Sequence, residues 1–426
     1  MSVSLQRNAD LAESLVRASR ALARVLEGRS LADERNTSAD AATRAAVLDL
    51  VHRALRRFGR DDAALRALSA HGQVEPGLRA LLLASLAALE SGRYAQYTVV
   101  DQAVRACVRM RRPGGQGFVN ALLRAYLRDR VRLARRLDAH PESRFQHPAW
   151  WIERVRAAYP DAWERVLAAG NTHPPMCLRV NRRRTTPEEY LARLISEGMP
   201  ARRVGASALL LQKPVPVERL PGFSQGDVSV QDAGAQRAAE LLELADGQRV
   251  LDACAAPGGK AAHILEIAQV ELTALEIDAA RCVRVGKSLA RLGLHAEVRV
   301  ADCTRPGDWR DGRAFERILA DVPCSASGIA RRRPDVKWLR RASDLGGFAA
   351  QQGAIVSALW QALAVGGKLL YVTCSVFPEE NDAVIEAFLA REPTAKRCGL
   401  KDGAPAQLLP DDGHDGFFFA VLEKAC

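Results

Sequence analysis

The sequence predicts a multidomain protein: an all-α N-terminal domain, a mixed α/β stretch, and a C-terminal α/β domain of Rossmann-like, doubly wound type. Three observations lead there. The chain has 426 residues, too many for one ordinary core. Its first 140 residues carry apolar positions at helical spacing and no strand-period segment. From about residue 245 onward strand-like and helix-like segments alternate, the pattern of a parallel sheet covered by helices. The boundaries fall at 1–145, 146–235 and 236–426.

The helical part begins with "DLAESLVRASRALARVLEG", which closes on Gly28. "SADAATRAAVLDLVHRALRRFG" opens on capping residues and is expected to stop at Gly59. "GLRALLLASLAALES" and "YTVVDQAVRACVRM" follow, and "RRPGGQGFVNALLRAYLRDR" breaks at 113–115 and restarts near Gly117. Roughly five to seven helices are expected here. At "HPESRFQHPAWWIERV" the texture changes to prolines, histidines and tryptophans. Beyond it "PPMCLRVN" reads as a strand, "TPEEYLARLISEG" as a capped helix, and "VSVQDAGAQRAAELLEL" as a strand running into a helix. The C-terminal strands are "RVLDAC", "LTALEI", "AEVRVAD", "RILADV" and "KLLYVT", with "FFFAVLEK" as a late strand.

Composition narrows the class. Hydrophobic residues make up 48% and charged residues 26%, a globular rather than a disordered profile. No apolar run is long enough to span a bilayer; the most apolar stretch, Leu78 to Glu90, reads as a buried helix. The amphipathic N-terminus lacks the apolar core of a signal peptide, so a cytoplasmic monomer without membrane association is expected. Nine scattered cysteines without a CxxC pair argue against a disulfide framework and against a structural metal. The "HAE" at 295–297 followed by Pro323-Cys324 imitates a zinc deaminase signature, but Ser327 stands where its last cysteine belongs.

The charge is unevenly divided. Residues 1–145 hold 25 Arg, no Lys and 15 Asp plus Glu, a net +10 of the chain's +11. Arginine suits bidentate phosphate recognition, so the helical third is the candidate nucleic-acid-facing surface. The dense series Arg105, Arg109, Arg111, Arg112, Arg124, Arg128, Arg130, Arg132, Arg135 and Arg136 exceeds what solubilising a helix surface requires.

In doubly wound sheets ligands bind at the carboxyl ends of the strands. That rule collects Asp252–Lys260, Glu276, Asp302, Asp321–Cys324 and Thr373–Cys374 from five strands into one crevice. In "VLDACAAPGGK", Gly258 and Gly259 allow a tight turn, yet the loop matches neither the P-loop nor the dinucleotide fingerprint. Glu276 is placed to accept from ribose hydroxyls and Asp302 to meet an adenine edge. A nucleoside without phosphates fits this acidic set, and S-adenosylmethionine, whose sulfonium attracts carboxylates, is such a ligand.

Two thiols stand at two strand ends, Cys324 in "DVPCS" and Cys374 in "TCS". If the second substrate is a cytosine in RNA, a thiolate adding to C6 makes C5 nucleophilic toward a methyl donor. That chemistry needs one nucleophilic thiol, an acid/base group near it and a carboxyl at N3, which Asp321 supplies. Lys260 is the candidate that lowers a thiol's pKa. Position alone leaves the two cysteines interchangeable.

"LDACAAPGGK", "DVPCSASGIARRRPDVKWLRR" and "YVTCSVFPEEN" together resemble the RNA cytosine-C5 methyltransferases of the Nop2/Sun class. The N-terminal helices, with "GFVNALLR", are similar to the NusB-type RNA-binding domain. The combination resembles the bacterial small-subunit (16S) ribosomal RNA methyltransferases of the Sun/Fmu type. The resemblance implies that Cys374 is the nucleophile and that Cys324 assists release. It implies that Cys254, Ala255, Ala256, Pro257, Gly258, Gly259, Lys260, Glu276, Asp302 and Asp321 line an S-adenosylmethionine site. It also implies RNA contacts from Arg179 and Asn181 in "RVN" and from Arg331 and Arg332. Glu276 stands where Asp is common, with Asp278 as the lesser candidate, and Arg333 replaces a frequent His. The competing readings are the same chemistry on transfer RNA or another ribosomal site, an RNA-binding or antitermination module with an inactive methyltransferase domain, and amino- or DNA-methylation.

Overall fold

The computed structural model describes residues 10–31, 40–69 and 74–426. The first nine residues of the amphipathic N-terminus lie outside the described residues. The chain divides into two compact units, residues 1–172 with 330–342, and residues 173–329 with 343–426.

The first unit is helical. It contains α1 (Leu11–Leu26), α2 (Ala41–Leu68), α3 (Pro76–Glu90), α4 (Gln96–Arg109), α5 (Gln116–Asp138), α6 (Pro141–Phe145), α7 (Ala149–Ala158) and α8 (Trp163–Ala169). Asp10, Asp40 and Glu75 cap α1, α2 and α3, each side chain accepting from backbone N–H groups of the first turn. α3 is buried continuously from Ala80 to Leu89, as its apolar sequence requires, and Leu15, Leu55, Val99 and Leu123 of its neighbours share its core. Two expectations need correction. α2 does not stop at Gly59 but runs on to Leu68, because Gly59 serves packing: a Cβ there would lie 2.6 Å from the carbonyl oxygen of Glu142. The helical unit also does not end at 145, since α7 and α8 cluster with it.

Residues 330–342 belong to this unit too, with a short helix at Val336–Leu339 called α13 here. Asp335 Oδ2 accepts from the Leu31 N–H at 3.1 Å, and Trp338 Nε1 donates to Leu55 O at 2.7 Å. Lys337 is fully buried, with Nζ donating to Arg56 O, Gln146 O and Asn171 Oδ1. Burial, then the neighbouring Arg56, pushes its ammonium well below the usual lysine range.

The second unit opens with an antiparallel sheet of order β2-β3-β1-β4, built from β1 (Cys177–Val180), β2 (Ala201–Arg203), β3 (Ala208–Leu211) and β4 (Val228–Val230). α9 (Pro187–Ser196) starts with a complete capping box between Thr186 and Glu189 and packs Tyr190 and Leu194 onto this sheet's core. α10 (Ala233–Leu241) leads into the main sheet.

That sheet is made of β5 (Arg249–Asp252), β6 (Glu271–Glu276), β7 (Glu297–Val300), β8 (Phe315–Asp321), β9 (Leu363–Thr373), β10 (Ala395–Cys398), β11 (Gln407–Leu408) and β12 (Phe417–Lys424). α11 (Gly259–Ile267), α12 (Ala279–Leu292), α14 (Asp344–Trp360) and α15 (Asp382–Leu389) connect its strands. The order is β10-β12-β9-β8-β5-β6-β7, with β11 pairing β12. The run from β9 to β7 is parallel, but β12 and β10 pair antiparallel, so the sheet is mixed rather than wholly parallel. Strand residues alternate between two cores. Leu251, Ile318 and Leu369 face α14 and α15; Val250, Leu319 and Leu370 face α10, α11 and α12. Helices therefore cover both faces, and the ends of five parallel strands open on one edge.

Candidate active site

At that edge β8 and β9 lie side by side, with Asp321 paired to Val372. The chain past each strand presents its thiol: Cys324 Sγ and Cys374 Sγ are 3.3 Å apart. The hydrogen bond between them and then burial push the Cys324 thiol well above the usual range.

Lys260 sits on the first turn of α11, and its Nζ donates to Asp321 Oδ2 at 2.5 Å. Burial alone would lower this ammonium, but Asp321 outweighs burial and holds it above the usual value. Asp321 is thus engaged by Lys260 rather than standing as a lone carboxyl.

The loop after β5 turns at Gly258, whose φ of +94° favours glycine. Behind it, Asp252 is fully buried, and neither of its carboxylate oxygens has a hydrogen-bond partner among the described residues. Burial, then the nearby Asp321 charge, pushes it up to about 7. Glu276 ends β6 almost wholly buried, with Oε1 taking the Asp278 N–H and facing Arg281 Nη1 at 3.2 Å. Asp278 instead caps α12 by accepting from the Arg281 N–H at 2.9 Å. Asp302, past β7, is held low by Thr304, whose hydroxyl and N–H both bond Oδ1. Cys254 Sγ lies 4.0 Å from Cys303 Sγ.

Other expected residues are placed differently. Arg179 is buried: its guanidinium forms a two-pronged pair with Glu266 and donates to Gln231 Oε1 and Gly259 O. Asn181 is buried as well, donating to Gly226 O. Both side chains turn inward, Arg179 bracing the loop at Gly259, so the expectation that they face RNA is corrected. Arg331 is buried in the helical unit with its carbonyl oxygen accepting from Arg56, and Arg332 beside it is half-buried.

The arginine series of the helical unit is also partly internal. Arg105, Arg109, Arg112, Arg128, Arg130 and Arg132 face Asp101, Asp10, Glu75, Asp129, Glu90 and Asp129, respectively. Arg111, Arg135 and Arg136 have no carboxylate partner among the described residues. Sequence reading missed Glu380, Ser375 and Ser325, whose buried hydrogen bonds join the two cysteine loops. "PEEN" signalled a turn, and nothing in it marked which glutamate turns inward.

Comparison with known proteins now has a site to attach to. Residues 239–423 match the family described as 16S rRNA methyltransferase RsmB/F, residues 147–218 its ferredoxin-like domain, and residues 13–128 the NusB family. Ribosomal RNA small subunit methyltransferase B of Pseudomonas syringae pv. tomato is 44% identical over 364 residues, 82% of this chain and 81% of that one. The protein of the same name from Vibrio cholerae is 42% identical, over 81% of this chain and 80% of its own. Among solved structures, PH0851 matches over 100% of both chains with a TM-score of 0.80 at 22% identity. A methyltransferase homologue from Pyrococcus horikoshii matches 66% of this chain and 97% of its own, with a TM-score of 0.59 and 26% identity. By sequence, domain order and fold, this chain belongs to the 16S rRNA methyltransferase RsmB/F family.

Proposed function

We propose that this protein methylates C5 of a cytosine in small-subunit ribosomal RNA, with Cys374 as nucleophile and S-adenosylmethionine as methyl donor. The observation that carries the reading is the thiol pair, 3.3 Å apart beside the Lys260–Asp321 ion pair. The ribosomal substrate is supported by the relatives' names.

The donor fits the carboxylates at the strand ends. Glu276 suits ribose hydroxyls, Asp302 an adenine edge, and Asp252 and Asp321 place negative charge where a sulfonium would lie. The single lysine of the loop is already neutralised by Asp321, which disfavours a phosphate. S-adenosylmethionine, when bound, supplies an electrophilic methyl carbon.

The chain's residues perform the rest. Cys374, as thiolate, adds through Sγ to C6. The expected role of Asp321 as a free acid at N3 changes: Lys260 and Asp321 act as a unit, with Lys260 donating a proton to N3 as Cys374 adds and taking it back when Cys374 leaves. After methyl transfer the C6–Sγ bond must break and the C5 proton must leave. Cys324 passes its proton to the departing Cys374 sulfur, and its own sulfur takes the C5 proton. One proton is thereby gained by the thiol pair and is later lost to solvent. The target base must leave its stack for C6 to be reached.

Cys324→Ala is expected to trap a covalent RNA adduct, seen as a retarded band on a denaturing gel, that Cys374→Ala cannot form. Equal loss of activity without adduct in either variant would sink the assignment.

A further inference from the structure

Both cysteines are held by a buried polar cluster rather than by regular strand pairing. Glu380 lies just before α15 and is fully buried. Its Oε1 accepts the Ser325 N–H at 2.7 Å and Gln352 Nε2 at 3.1 Å. Its Oε2 accepts the Ser375 hydroxyl at 2.6 Å. Ser325 follows Cys324 and Ser375 follows Cys374, so one carboxylate grips the residue next to each thiol. Gln352 extends the grip, since the same Nε2 donates to Pro323 O at 2.9 Å. The Ser375 hydroxyl also lies 3.2 Å from that of Ser325 and 2.9 Å from that of Ser327. Glu380 is itself anchored, its carbonyl oxygen accepting from Tyr371 OH at 2.6 Å. Breaking such a network leaves several buried groups unpaired at once.

Building on the two-thiol reading of the site, we propose that Glu380 is a positioning residue: it sutures the Cys324 loop to the Cys374 loop and thereby sets the distance across which the adduct is released. It touches neither substrate nor the reacting atoms. Attack by Cys374 needs one loop alone, whereas release needs both loops in register. Loss of Glu380 therefore blocks the second half of the reaction more than the first.

The test is adduct accumulation with a small-subunit ribosomal RNA fragment, using full-length protein. Glu380→Ala is expected to lower kcat by about 10²-fold, the usual consequence of displacing a reacting group by an ångström. Affinity for S-adenosylmethionine, measured by calorimetry, should stay near that of the wild type, and covalent RNA should accumulate as in Cys324→Ala. Glu380→Gln keeps one oxygen to accept from the Ser325 N–H and should recover turnover in part. Should Glu380→Ala not fold, Ser375→Ala removes one tie without opening a large cavity and is expected to give the same adduct at a lower level. Adduct in Cys324→Ala but in neither Glu380→Ala nor Ser375→Ala overturns the positioning role and leaves the thiol reading standing. No adduct in Cys324→Ala overturns the thiol reading, and the role of Glu380 with it.

Discussion

Asp252 shows at the scale of one residue what burial does to a carboxyl. Its two oxygens have no hydrogen-bond partner among the described residues, and burial, then the Asp321 charge, pushes its pKa up to about 7, from about 4 in the unfolded chain. Between those values the folded protein binds a proton that the unfolded chain releases, so folding stability falls as pH rises from about 4 to 7. Asp252→Asn removes this dependence. Its stability relative to the wild type should grow over that window and level off above it, by up to about 4 kcal/mol. Chemical denaturation of both proteins at several pH values measures this; a difference that stays flat with pH contradicts the account. The strand-end placement of the thiols and of the carboxylates was legible because each sits at a strand end with a distinctive neighbour. The thiols' 3.3 Å approach was not, since it joins residues 50 positions apart. Glu380 was hidden for the same reason.

Among the elements, α2 illustrates a glycine whose meaning local sequence inverts. Read along the chain, Gly59 resembles a helix stop. In the fold it is where α2 admits the backbone of α6, with Glu142 O 2.6 Å from the position a Cβ would take. Gly59→Ala should gain about 1 kcal/mol in helix propensity. The clash should cost more, about 1–3 kcal/mol, because a backbone carbonyl cannot swing aside as a side chain can. A net loss of stability on thermal denaturation is the expected outcome; a gain would mean that α6 yields freely. Periodic elements such as α1, α3 and the five parallel strands were readable because their burial follows their own spacing. The antiparallel placement of β10 and β12, and the membership of residues 330–342 in the helical unit, depend on where the chain returns. No local pattern encodes that.

For the molecule as a whole, charge was a good guide to the domain and a weaker guide to its contacts. The net positive charge of residues 1–145 marks the helical third. Six arginines of its densest series nevertheless face acidic side chains, and exposed pairs of this kind contribute little stability individually. The same limit applies to "RVN", where Arg179 braces Glu266 and the Gly259 carbonyl instead of facing RNA. Motif order, by contrast, pointed to the family that the relatives show. The central claim is the reaction itself. It is tested most directly by mass spectrometry of small-subunit ribosomal RNA from cells lacking this gene, complemented with wild type or with Cys374→Ala. The account predicts one 5-methylcytosine that disappears on deletion and returns with the wild type but not with Cys374→Ala. Ribosomal RNA unchanged by the deletion, or methylation restored by Cys374→Ala, would contradict it.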